Sequence, residues 1–211
     1  MLIIAFAAVP FMPTSYGSFS EATVATSNSP MLPSQAYEYE NPLLPDYLRD
    51  NENGNGDHYN PPTNTLTNAG ARLGRVLFYD TRLSKNNEIS CGSCHRPANG
   101  FSDPDVFSRG FDGELTTRQS MGLTNARVQP SRRFFWDASA FVLQDQIEMA
   151  VTSSIEMGMS FQEVVSRLQN TDFYPGLFAD AFGDPNIDQG RITAAIGQFV
   201  RSMISKNSKF D

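Results

Sequence analysis

The chain has 211 residues and a formal net charge of −7, and this charge is distributed unevenly. Residues 1–60 hold seven acidic side chains and one basic side chain, so the remainder of the chain is nearly neutral. Nothing in this charge distribution suggests nucleic-acid binding, which would need a basic patch or stripe. The length allows one domain of good size with a real hydrophobic core.

An apolar stretch over residues 1–12 opens the chain and is too short to span a bilayer. It resembles the core of a secretory signal, and small residues follow it at 15–18. No lysine or arginine precedes Arg49, so the usual positive n-region is missing. We expect a signal segment over residues 1–18, with a disordered or core-packed N-terminus as the alternative.

A flexible acidic linker is predicted over residues 19–63, where Ser, Thr, Asn, Pro and Gly are frequent. The Asn/Gly/Asp pattern at 51–57 lacks the closing glutamate of an EF-hand, which favours a linker over a calcium loop. His58 lies in this segment and is expected to be exposed to solvent rather than to bind a metal.

The first regular element is predicted from residue 66 onward. Thr67 or Asn68 can cap a helix that extends to Tyr79, because apolar side chains recur at spacings of three and four. Residues 80–84 are predicted to form a turn. Residues 96–133 have no sustained period and are predicted to form a long loop that wraps a ligand.

Four further helices are predicted after this loop, over residues 138–152, from 160 onward, 174–182 and 188–204. Ser160 and Glu163 form a capping box for the second of them, and Gly183 ends the third. The last carries one apolar stripe. No strand pattern is convincing, so the fold class is all-α, with the ordered domain over residues 64–211.

The only two cysteines of the chain lie in the sequence Cys91-Gly92-Ser93-Cys94-His95. This is the C-x-x-C-H form of a c-type haem attachment site, in which both thiols bond the haem and the histidine is an axial ligand. A zinc site would need a fourth ligand. A thioredoxin-type motif would need a βαβ context, and a plain disulfide would leave His95 without a role. The motif therefore predicts one covalently attached haem c, and assembly outside the cytoplasm.

The chain resembles the bacterial di-haem cytochrome c peroxidase family, which includes the MauG-type enzymes. The resemblance covers about residues 66–211 and is carried by LGRVLFYD at 73–80, LS at 83–84, ISCGSCH at 89–95, GFSD at 100–103, FFWD at 134–137, LQDQ at 143–146, EM at 156–157 and SKNSKFD at 205–211. It implies a cytochrome c-like helical domain around one haem. It maps the chain onto the N-terminal, peroxidatic domain, and no second C-x-x-C-H follows. We therefore expect a fragment or a one-domain relative, with calcium only at an interface with a second domain.

The resemblance also implies roles for individual residues. His95 would be the proximal iron ligand, Glu156 the distal acid/base and Gln146 its hydrogen-bonding neighbour. From the sequence alone, Glu156 is better explained as a surface acid at a helix end, and Gln146 equally well as a solvated helix residue. Trp136 would take part in electron transfer, with a core aromatic as the alternative.

Other groups are candidates for contacts with the iron or with the haem propionates. A packing role is the better explanation for each of the methionines, and none of the arginines is favoured over the others. The candidates are Met121, Met149, Met157 and Met159 for the iron, and Arg118, Arg132 and Arg133 for the propionates. Many relatives carry a distal histidine after the haem motif, whereas this chain has no histidine after His95. The sequence also has DASA at 137–140 where the family has Asp-Gly-Arg-Ala, and Arg118-Gln119 where the family has Arg-Asn.

The expected function is reduction of hydrogen peroxide to water, with electrons from a small redox protein such as a cytochrome c or a cupredoxin. Three alternatives are open: a mono-haem electron-transfer cytochrome without peroxidase activity, MauG-type oxidation of a protein or organic substrate, and a degenerate docking or sensing domain. The expected partners include a second haem domain or a second copy of the chain. The expected location is the bacterial periplasm.

Overall fold

A computed structural model of the protein describes residues 29–35, 37–40, 61–128 and 133–206. Within these ranges it contains six α-helices and no β-strand, which confirms the all-α fold class. None of the helices described is long and apolar enough to cross a membrane. The predicted signal segment, most of the predicted linker, His58 and Arg132 lie outside the described residues.

The helices are joined by irregular segments and short 3-10 turns. In chain order they are α1 (Asn68–Tyr79), α2 (Cys91–Cys94), α3 (Leu143–Thr152), α4 (Phe161–Gln169), α5 (Tyr174–Phe182) and α6 (Gln189–Ser202). The predicted loop over 96–133 contains only two 3-10 turns among its described residues, and isolated β-bridges hold parts of it together.

Helices α1 and α6 pack directly against each other and form the centre of the core. Thr67 caps α1 by accepting a hydrogen bond from the Gly70 amide. Gly74 lies so close to the Ala195 carbonyl that a Cβ at position 74 would overlap with it. The predicted apolar stripe of α6 is buried, at Ile192, Ala195, Ile196, Phe199, Val200 and, just beyond the helix, Met203.

A buried polar network ties the segment before α1 to α6, and the sequence analysis missed it. The Gln198 amide donates to Asn64 Oδ1 at 2.9 Å, and its Oε1 accepts from the Thr67 amide at 2.9 Å. Arg201 is fully buried and donates to the Asn64 carbonyl. These bonds satisfy polar groups that would otherwise destabilise the core.

Helix α3 begins at Leu143, five residues later than predicted. Phe135 and Ala138 adopt positive φ angles of 64° and 58°, and Phe134 pairs with Ala140 in an isolated β-bridge. A left-handed backbone is incompatible with a continuing α-helix, so these residues form a tight loop instead. The capping box of Ser160 and Glu163 is present at the start of α4, and Gly183 ends α5 with a φ of 89°.

Candidate functional site

The two thiols lie on helix α2, one helical turn apart. The Ser90 and Ser93 side chains form a capping box that fixes the start of this helix. Both thiols are free and only partly exposed, so no disulfide joins Cys91 and Cys94. Burial raises the pKa of the Cys91 thiol to about 12, with smaller effects from neighbouring groups. Among the residues described, no cluster of three or more His, Cys, Asp or Glu side chains could hold a bare metal ion.

The His95 ring is oriented by a backbone carbonyl. Its Nδ1 donates to the Phe101 carbonyl at 2.9 Å, so Nε2 is the nitrogen that a metal would take. Phe101 has a positive φ of 59°, in a turn closed by the bridge between Arg96 and Ser102. Burial lowers the pKa of His95, against the opposing effect of hydrogen bonds to the Phe101 and Met121 carbonyls. Burial thus favours the neutral form of the ring, which is the form that binds metals.

A cavity of about 460 Å3 opens beside these groups. Cys91, Cys94 and His95 form one part of its wall, and apolar side chains from α1, α3 and α6 form much of the rest: Phe78, Leu143, Ile147, Ile196 and Val200. Its volume lies within the roughly 300–1,000 Å3 of cavities that bind small ligands and cofactors. Free thiols, an oriented imidazole and an apolar cavity together fit a covalently attached haem.

Gln146 and Glu156 border the same cavity. Gln146 lies on α3, and its amide nitrogen is 3.7 Å from Met121 Sδ. Glu156 lies in the irregular segment between α3 and α4, and within the part of the chain that the structure describes its carboxylate accepts no hydrogen bond. Burial alone raises the pKa of this carboxyl group. The structure thus brings Glu156 to the cavity, and not to the surface position that its sequence context suggests.

Trp136 lies at the mouth of the cavity and is 64% exposed. Its indole nitrogen donates to the Gln119 carbonyl at 2.9 Å. The alternative of a core aromatic is therefore wrong. Phe134, two residues earlier, is buried in the core, and Phe135 is partly buried against it.

The other candidates divide between the cavity and the rest of the domain. Met121, Met149 and Met157 border the cavity, whereas Met159 is buried outside it. Arg118 borders the cavity and forms an ion pair of 2.6 Å with Asp137.

Two further arginines bear on the prediction of residues that contact the haem propionates. Arg133 stacks on Phe141, with its guanidinium carbon 4.4 Å from the ring centroid, and does not border the cavity. Arg109 borders the cavity and was missed, because nothing in its loop marks it in the sequence.

The model of the di-haem cytochrome c peroxidase family matches residues 68–211. The chain belongs to this family. It is 35% identical over 158 residues to the methylamine utilization protein MauG of Methylophilus methylotrophus, a match of 72% of this chain and 44% of that protein. It is 31% identical over 141 residues to the cytochrome c551 peroxidase of Nitrosomonas europaea, which covers 67% of this chain and 42% of the relative.

A solved structure supports the same assignment. A crystal structure of a MauG-like protein associated with microbial copper homeostasis superposes with a TM-score of 0.66 at 32% identity, over 71% of this chain and 45% of that one. The resemblance seen in the sequence and the cytochrome c-like fold are therefore confirmed. The chain spans less than half the length of these relatives. Membership in the family implies haem c as the cofactor.

Proposed function

We propose that this domain is a c-type haem peroxidase domain that reduces hydrogen peroxide to water with electrons from a small redox protein. The observation that carries the proposal is that His95 and Glu156 border one cavity together with both thiols. A haem held by these residues would supply the redox chemistry that peroxide reduction needs. The relatives named cytochrome c551 peroxidase support the same activity.

Each residue then has a task that follows from its position. Cys91 and Cys94 would hold the haem through two thioether bonds, and His95 Nε2 would be a ligand to its iron. The Glu156 carboxylate takes a proton from one peroxide oxygen and delivers it to the other. The Gln146 amide orients the peroxide by hydrogen bonding. The overall reaction consumes one peroxide, two protons and two electrons and yields two water molecules.

Trp136 is proposed to pass electrons between the cavity and a partner. Its ring is exposed at the cavity mouth, where a donor protein or a second haem domain can approach it. The donor is proposed to be a cytochrome c or a cupredoxin. Because haem c is attached outside the cytoplasm, export to the periplasm belongs to the same proposal.

Changing Glu156 to Gln tests the proposed function. The amide keeps the size of the side chain but accepts no proton, so the rate of the ferric holoprotein with peroxide should fall roughly 10²- to 10⁴-fold, the usual contribution of a general acid–base group. Glu148→Gln is the matched control, because Glu148 is an exposed glutamate on α3. Stopped-flow absorbance at the Soret band measures both rates. Equal rates for the two variants would remove Glu156 from the mechanism.

A mono-haem electron carrier is the second candidate function, and the position of Met121 favours it. Met121 borders the cavity close to Gln146, so its thioether could serve as a sixth ligand. The ferric spectrum separates the two functions. A low-spin haem with a methionine charge-transfer band and no reaction with peroxide supports the carrier, and a high-spin haem that reacts rapidly supports the peroxidase.

A further inference from the structure

Glu156 lies outside any helix, so helical hydrogen bonds do not fix its backbone. Two adjacent backbone carbonyls of its segment are instead held by other loops. The Phe111 amide donates to the Glu156 carbonyl at 2.9 Å, and the Lys85 amide donates to the Met157 carbonyl at 2.9 Å. Within the segment, the Gly158 amide closes a turn on the Ser153 carbonyl at 2.8 Å.

The contact between Phe111 and Glu156 depends on two close approaches. Gly110 lies directly against the carbonyl of Ile155, and a Cβ at position 110 would overlap with that oxygen. The Phe111 ring lies against Gly158, which has a positive φ of 66°. A backbone carbonyl cannot move aside as easily as the end of a flexible side chain. The close contact between position 110 and the Ile155 carbonyl therefore requires glycine.

A third segment completes the arrangement. The Asn86 side-chain amide donates to the Phe111 carbonyl, and the Lys85 ammonium lies 5.7 Å from the Phe111 ring centroid. Residues 85–86, 110–111 and 155–158 therefore meet at one place, which we name the three-loop junction. The first of these segments leads into the cysteine motif, so the junction links the haem-binding helix to the segment that carries Glu156.

We infer that the three-loop junction fixes the position of the Glu156 carboxylate in the cavity and that Gly110 is a positioning residue for the reaction. The inference rests on the proposed function. A group on an irregular segment needs support from its surroundings to be held in a productive geometry. A misplacement of about 1 Å costs roughly 10²-fold in rate. The junction is where these loops supply that support.

Gly110→Ala in the haem-loaded protein tests the inference. The added methyl group must displace the Ile155 carbonyl, so we expect the peroxide reaction to slow by about tenfold or more while the Soret band remains. Gly176→Ala is the matched control, because a Cβ at position 176 meets no atom within 4 Å. Asn86→Ala is a milder second variant that adds no atom. It should slow the reaction by about threefold. It replaces Gly110→Ala as the test if that variant does not fold and bind haem.

A double-mutant cycle distinguishes positioning from a general loss of structure. If Gly110 acts through Glu156, the Gly110→Ala change should have no further effect in the Glu156→Gln background. An equal loss in both backgrounds would overturn the inference. The proposed function fails separately, because it predicts that Glu156→Gln alone slows the reaction.

Hydrogen exchange gives a readout that does not depend on activity. In Gly110→Ala the Phe111 amide, which bonds the Glu156 carbonyl, should exchange about tenfold faster, while amides of α6 such as Ile196 keep their protection. Unchanged protection at Phe111 would contradict the inference even if the rate fell, because the junction would then be intact.

Discussion

At the scale of single residues, the burial of Glu156, on which its proposed role depends, also destabilises the folded domain. Burial raises its pKa above the usual value near 4.3. At pH values between the usual pKa and the raised pKa, the native state therefore binds more protons than the unfolded state. The free energy of unfolding contributed by this group therefore falls as pH rises through that window. We expect Glu156→Gln to be more stable than the parent at pH 7 and to lose this advantage below about pH 4.

Thermal unfolding of the two holoproteins across this pH range measures the effect. Glu163→Gln is a useful contrast, because its hydrogen bonds to Ser160 lower the pKa of Glu163, and its removal should cost stability at neutral pH. If Glu156→Gln were less stable than the parent at pH 7, the prediction would be wrong, because the charged carboxylate would then be stabilised in the folded state.

The residues of the candidate site differ in how well the sequence predicts their positions and roles. Cys91, Cys94 and His95 carry a local motif whose chemistry is readable from its spacing. Glu156 has no such pattern, and only the family resemblance separated it from a surface acid. Its backbone segment is hydrogen-bonded to loops that are distant in the chain, around Lys85 and Phe111. Periodicity carries no information about contacts of this kind.

At the scale of helices, local capping signals predicted helix starts well, whereas the one start that depends on a surrounding loop was misplaced. Thr67 and Ser160 each cap a helix as the sequence predicts, because a side-chain oxygen accepts a hydrogen bond from a free amide of the first turn. Asp188 caps α6 in the same way. The start of α3 was misplaced because the positive φ angles of Phe135 and Ala138 are imposed by the surrounding loop. Neither residue type favours that conformation.

The crossing of α1 and α6 allows a direct test of packing. Gly74→Ala places a methyl group on the Ala195 carbonyl, so the helices must separate, and we expect a loss of roughly 3 kcal/mol in the free energy of unfolding. Gly176→Ala, on the open face of α5, should be neutral or stabilising by about 0.5–1 kcal/mol. Denaturant titration followed by far-UV circular dichroism gives both values. A loss below about 1 kcal/mol at position 74 would show that the crossing is less tight than described.

At the scale of the whole molecule, the proposed function assigns two tasks to different residues of one cavity. Glu156 and Gln146 are the groups proposed for peroxide chemistry, and the exposed Trp136 is the group proposed to face a redox partner. Met149 is a second exposed apolar side chain that borders this cavity. The sequence predicted the helices and the attachment motif. It did not show which apolar residues would be exposed, because exposure depends on how the loop over 133–142 folds back on itself.

This separation predicts that electron delivery and peroxide reduction respond differently to changes at Trp136. In Trp136→Phe the ring is smaller and lacks the hydrogen bond to Gln119, so turnover with a reduced cytochrome c as donor should fall about tenfold or more. The single-turnover reaction with peroxide should stay within about twofold of the parent, because the groups proposed to handle the proton are untouched. Phe141→Leu, which changes another exposed aromatic residue, controls for general effects on the surface. If both reactions slowed to the same extent in Trp136→Phe, the indole would be a positioning group for the cavity and not part of the electron path.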